Sequence, residues 1–191
     1  MKKLLVHVVL PFVAGGALLA GCTSTQGGTA SPAQSPSAGG PSAPESSSSA
    51  GGGGTQSITD PCSLLEPGDL TGYGEFRPPE NDTLGGARVC SYQKKTASAS
   101  DKGMVVGANV RDNASVDQVR DTGRGVVDKE INGRKAKESL DGVAPGCTLG
   151  LAVGASSRVD VAVTAVASSE EACQIAEEVA TKAVEPRLPK G

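Results

Sequence analysis

Histidine, tryptophan and aromatic side chains are what this chain has least of. Its 191 residues hold one histidine, no tryptophan, two tyrosines and two phenylalanines. The histidine is His7, inside an apolar N-terminal stretch that reads as a leader. Without it there is no Ser-His-Asp or Cys-His catalysis and no histidine metal ligand. Beyond the leader the aromatics are Tyr73, Phe76 and Tyr92, too few to build a stacking platform for bases or sugars. Basic clusters are missing as well. The formal charge is −3, and loss of Lys2 and Lys3 with the leader takes Lys plus Arg from 18 to 16 against 21 acids, giving −5. Such a chain is a poor nucleic-acid partner and is not drawn to an anionic membrane surface by charge. No C-x2-C pair occurs, so a zinc site of cysteine thiolates lacks its usual spacing.

What is present begins with the leader. Lys2-Lys3 precede an apolar run from Leu4 to Leu19, broken by Pro11 and Gly15-Gly16, and the run closes on Leu19-Ala20-Gly21-Cys22. A charged start, an apolar middle and a small-residue cut site describe a signal peptide over residues 1–21. The run is short of the roughly 18 to 20 apolar residues of a spanning helix. Leu-Ala-Gly-Cys looks like a bacterial lipobox, with the Cys22 thiol carrying acyl chains such as palmitate and cleavage just before it. The competing reading is an ordinary secretory peptide with an incidental cysteine. Two or three chains hold a protein firmly where one does not. The expected location is the extracytoplasmic face of the cell membrane, reached through the lipid.

In residues 22–57, Cys22 is followed by Gly, Ser, Ala, Pro, Thr and Gln, with Glu45 the only charge. They cannot bury enough apolar surface to offset ordering and read as a disordered tether. Its root-mean-square span is about 30 to 35 Å. The Ser and Thr residues could carry O-linked sugars or stand bare.

The globular part is expected over residues 58–191. Asp60-Pro61-Cys62-Ser63-Leu64-Leu65 opens it and starts a short helix, and Pro67 opens a further turn that Gly72 and Gly74 stop. Residues 76–82 read as loop. Gly85 to Lys95 reads as a strand with Cys90 and Tyr92 on one face. Gly103 to Arg111 is the next strand, with Met104, Val106, Ala108 and Val110 inward. Val116 to Thr122 reads as a short helix ended by Gly123. Asn132-Gly133 predicts a two-residue hairpin turn between residues 126–131 and 134–138. Alternation in Cys147, Leu149, Leu151, Val153 and in Val159, Val161, Val163, Ala165 predicts two more strands. Ser168 to Glu171 resembles a capping box opening a last helix that Pro186 ends. The expected fold class is α+β: an antiparallel sheet with two or three helices packed on it.

Four cysteines follow the anchor: Cys62, Cys90, Cys147 and Cys173. In an exported chain an even count reads as two disulfides, with three possible pairings. Cys62–Cys90 with Cys147–Cys173 is favoured, because each half then carries its own staple.

The lipobox with its tether, the Asp60-Pro61-Cys62-Ser63-Leu64-Leu65 opening and a second cysteine at position 90 together resemble the actinobacterial lipoproteins grouped as domain of unknown function 3558. Members usually carry Trp two residues after the second cysteine, where Tyr92 stands here. The resemblance implies an envelope location and paired cysteines, and it implies no reaction.

Other motifs carry less. Ser91-Tyr92-Gln93-Lys94 matches Ser-x-x-Lys but falls on an expected strand without its partner motifs. Asp112, Asp117 and Asp121 lack calcium-loop spacing. Asn81-Asp82-Thr83 and Asn113-Ala114-Ser115 match a glycosylation pattern that a bacterial lipobox makes idle. No enzyme activity and no cofactor are expected. The functional expectation is a tethered module that binds a small ligand or an envelope protein. The alternative is a structural or accessory subunit without a small-molecule site. An enzyme would have to rely on carboxylates or a Ser-Lys pair.

Overall fold

Alternation of apolar and polar residues builds most of this domain. A computed structural model of the chain describes residues 54–98 and 100–190. Cys22, the expected leader and most of the expected tether lie outside the described residues.

Among these residues seven strands form: β1 (Glu80–Leu84), β2 (Ala87–Gln93), β3 (Val105–Arg111), β4 (Gly123–Ile131), β5 (Arg134–Asp141), β6 (Gly146–Ala152) and β7 (Arg158–Thr164). All pairs are antiparallel, in the order β1-β2-β3-β7-β6-β5-β4. The sheet is therefore two meanders joined edge to edge. The first three strands make one, the last four make the other, and the seam pairs Val105–Arg111 with Arg158–Thr164. The chain leaves β3 at the seam and must cross the second meander to begin β4 at its far edge.

One face of the sheet holds the core. Val106, Ala108 and Val110 of β3, Leu149 and Leu151 of β6, and Val159, Val161 and Val163 of β7 are all fully buried there. Over β5, β6 and β7 lies α1 (Ser169–Val179), which continues through a π-helical turn (Ala180–Val184) and a last turn (Glu185–Arg187) as one helix of 19 residues. Ser168 caps it by accepting from the Glu171 N–H at 3.1 Å. Small side chains at Ala172, Ala176 and Ala180 are wholly buried and let the helix sit close to the strands. Pro186 does not end the helix, as its ring suggested, but lies inside its last turn. Pro186 has no N–H for the Lys182 carbonyl, and the wider π turn just before it accommodates the ring.

The expectation of two or three helices packed on a sheet is wrong. Among the described residues the fold is mostly β, with one true helix. Pro61–Leu64, Pro67–Tyr73 and Val116–Gln118 are 3-10 turns of four, seven and three residues. Segments this short cannot repay helix nucleation. The third has a further constraint, since Val119 is already extended (φ −60°, ψ 125°) so that the chain can reach β4.

The loop expected over residues 76–82 is corrected too, because β1 begins at Glu80. Every residue of β1 is exposed, so no alternation marks it. Pairing with β2 makes it a strand, through a two-residue turn at Gly85 and Gly86 with φ of 56° and 76°. Asn132 and Gly133 turn the β4–β5 hairpin in the same way, at 49° and 83°.

Arginines tie the outlying segments down. Tyr92, buried, donates to the Leu65 carbonyl at 2.5 Å and fixes the N-terminal turns on β2. Arg187 joins the end of the helix to Asp69 at 2.7 Å. Arg88 bonds the Ile58 carbonyl at 2.5 Å and Asp112 at 2.9 Å, while Asp112 accepts from the Thr55 hydroxyl at 2.7 Å. The Arg88 guanidinium holds the Asp112 carboxyl below the usual carboxylate range; partial burial opposes this and the Thr55 hydroxyl assists it.

A folded pKa below the unfolded one means that the unfolded chain takes up the proton first as pH falls. The stability Asp112 supplies is therefore complete above the unfolded value of about 3.9 and is lost as pH drops through its lower folded value. Urea midpoints of the wild type and Asp112→Asn should differ by a constant amount from pH 7 to about 5 and converge below about 4.

Candidate functional site

The second face of the sheet carries the charges. On β7, Arg158 and Asp160 alternate with the core valines and project to the side away from α1. They are nevertheless buried, at 5% and 1% exposure. Arg111 is the Cα partner of Arg158 across the seam, and Gly150 of β6 is the partner of Asp160. Arg158 donates from Nε to Asp160 Oδ1 at 2.6 Å, and Arg111 donates from Nε to Asp160 Oδ2 at 2.5 Å. One buried carboxylate thus sits between two guanidinium groups. Charges taken out of water need this kind of pairing.

What buries them is the crossing segment. Its 3-10 turn is closed by reciprocal bonds between Ser115 and Gln118. Beyond it Val119 lies buried, and Thr122 binds the second meander through Ser139 Oγ at 2.9 Å and the Leu140 carbonyl at 3.0 Å. Val119 can approach the sheet only because residue 150 is glycine. A Cβ at Gly150 would lie 2.6 Å from Val119 Cγ2, 3.1 Å from Asp160 Oδ1 and 3.3 Å from Arg158 Cδ. Gly150→Ala should therefore lift the crossing segment and cost about 1 to 3 kcal/mol, the usual range for overpacking. Thermal unfolding measures it, and adding Val119→Ala should recover part of the loss.

Between the crossing segment, the β1–β2 turn and the sheet is a cavity of about 590 Å³. This falls within the range of about 300 to 1,000 Å³ for small-molecule sites. Its lining includes Arg111, Arg120, Arg158, Asp160 and Thr148. Three arginines against one aspartate leave a net charge of +2 in a chain whose overall charge is −3. A pocket lined by apolar side chains would have been the plainest sign of a ligand site; this one is mixed in polarity and cationic.

The other candidates fall elsewhere. Cys62 is bonded to Cys90 and Cys147 to Cys173, with Cα–Cα distances of 5.0 Å in both. The first pair joins the opening 3-10 turn to β2 and the second joins β6 to α1. With these four sulfurs in disulfides, no cysteine thiolate among the described residues is available for zinc. Glu138, on the α1 side of β5, is buried at 6% exposure; its Oε2 has no partner and its Oε1 is 3.7 Å from Lys129 Nζ. Glu138 and Asp160 lie on opposite faces of the sheet, so the two buried carboxylates do not converge.

Ser91 lies within β2 and not at a helix start. Asp112, Asp117 and Asp121 serve three different partners: Arg88, Lys135 at 2.8 Å, and the N–H groups of Gly123 and Gly125. Among exposed apolar side chains, Val126 and Val127 point to opposite faces of β4, while Leu84 and Val143 sit at separate turns. None of Arg111, Arg120, Arg158 and Asp160 stands out in the sequence as a site residue. The signal available was the pair Arg158 and Asp160 flanking Val159, but on a strand with one buried face such residues read as solvent-facing.

Fold and site together define a mostly β, disulfide-stapled domain with one covering helix and an arginine-lined cavity on its other face. The family described as protein of unknown function (DUF3558) matches residues 17–186, and the chain belongs to that family. No curated protein and no solved structure matches it.

Proposed function

We propose that this protein is a non-catalytic binding module of the cell envelope, held at the membrane by acyl chains on Cys22 and displayed on the tether of residues 22–57. The lipobox pattern and the tether composition support the anchoring. The binding role rests on one observation: a cavity of about 590 Å³, open to solvent on one side, between the sheet and a segment that crosses it. The two buried side chains at its floor, Arg158 and Asp160, are held by hydrogen bonds, so the site is preorganised.

The test is native mass spectrometry of the full chain, released gently from the membrane of its own host. The expected result is an added mass that denaturation removes. Thr148→Phe places a ring on the cavity floor and should abolish the added mass. An added mass that persists in Thr148→Phe would put the ligand elsewhere. A chain of unadorned mass in the wild type would remove the support for a tightly held ligand.

A further inference from the structure

We infer that the cavity is a receptor for a small dianion, a phosphoryl group or a dicarboxylate, clamped by Arg120 against Arg111 and Arg158. This rests on the cavity being the binding site.

Charge is the first argument. The lining carries +2, and a dianion neutralises it. The second is the account of donors. Arg158 engages Nε with Asp160, one Nη1 hydrogen with the Ser115 carbonyl at 2.7 Å and one Nη2 hydrogen with Asp160 at 3.4 Å. One hydrogen on each of its terminal nitrogens is left without a partner. Arg111 engages Nε with Asp160 and one Nη1 hydrogen with the Gly85 carbonyl at 3.1 Å, leaving the whole of Nη2. Arg120 makes no ion pair and no side-chain hydrogen bond among the described residues. Nor does the Thr148 hydroxyl on the cavity floor.

The contrast with the neighbouring cations sharpens the point. On the same face Lys135 and Lys137 are neutralised by Asp117 and Asp128, at 2.8 Å and 2.5 Å. The arginines of the cavity share a single carboxylate. That carboxylate is nearly inaccessible and fixes two of the guanidinium groups before any ligand arrives. Arginine suits this task because its planar fork matches an oxyanion with paired N–H bonds. A polyanion is a poor fit, since the chain is acidic overall and the site is roofed by the crossing segment.

The experiment is calorimetric titration of the full chain in mild detergent with inorganic phosphate, glycerol phosphate and succinate, and with glycerol as a neutral control. At least one dianion should bind with a Kd of about 1 mM or tighter, and glycerol should not. Arg120→Gln should weaken the binding about tenfold or more, while leaving the unliganded unfolding temperature unchanged because Arg120 is exposed and unpaired. Arg120→Lys should fall between the two. Preference for the phosphates or for succinate identifies the source of the dianion. Absence of binding by all three probes, or equal binding by Arg120→Gln, overturns the inference. A neutral molecule found in the cavity by mass spectrometry and lost in Thr148→Phe would overturn it too, while leaving the binding-module reading intact.

Discussion

Asp160→Asn should be among the most damaging single substitutions in this domain, at about 3 to 5 kcal/mol. That is the usual cost of removing one partner from a buried ion pair. Asn has nearly the same shape, so packing is preserved and the loss is electrostatic. Arg111 and Arg158 would then face each other across the seam with no carboxylate between them, and Arg158 is buried. The measurement is the urea midpoint, with the slope of the transition expected to stay as in the wild type. A shift worth less than about 1 kcal/mol would mean that water reaches the cluster and screens it. A second variant separates charge from packing. Replacing Arg158 and Asp160 together by Met and Leu should cost much less than Asp160→Asn, because a buried pair exchanged for apolar residues of similar volume is often neutral.

The disulfides should show the next largest effect. Loops of 28 and 26 residues are closed by Cys62–Cys90 and Cys147–Cys173. By the chain-entropy argument each contributes about 3.5 kcal/mol. Replacing either pair by Ser should lower the urea midpoint by that order, and losing both should leave little net stability in a domain of this size. The two bonds should differ in how readily they are broken. Cys62 is partly exposed, whereas Cys147 and Cys173 are buried at 3% and 7%. A thiolate must reach a sulfur to break the bond. Graded dithiothreitol with alkylation and peptide mapping should therefore release Cys62 and Cys90 first. Simultaneous release would show that global unfolding, not access, controls reduction.

How much of this could be read in the sequence follows burial patterns closely. β3, β6 and β7 were legible because every second residue is apolar and enters the core. The Asn132-Gly133 turn was legible because few other residues accept positive φ at both positions. The favoured disulfide pairing matches the structure. β1 was not legible, since an edge strand with both faces exposed has no hydrophobic period to detect. The helices expected near Ser63 and Val116 carried plausible caps, but neither had enough residues to sustain α-helical turns. The cavity was hidden for a different reason. Arg158 and Asp160 are buried by a segment whose path across the second face depends on strand order. Local patterning does not reveal that the chain leaving β3 must travel to the far edge before it can pair again.

The seam between β3 and β7 has a mechanical consequence. Each disulfide is confined to one side of it, so the two meanders can part there without breaking a covalent bond. The Cα register of Val105–Arg111 with Arg158–Thr164, the Arg111–Asp160 bridge and the Arg187–Asp69 pair carry that join. Arg111 and Arg158 stand on opposite banks, so a molecule seated between them would act as a rivet. Filling the cavity would add tensile strength to a protein proposed to hang from a membrane by acyl chains.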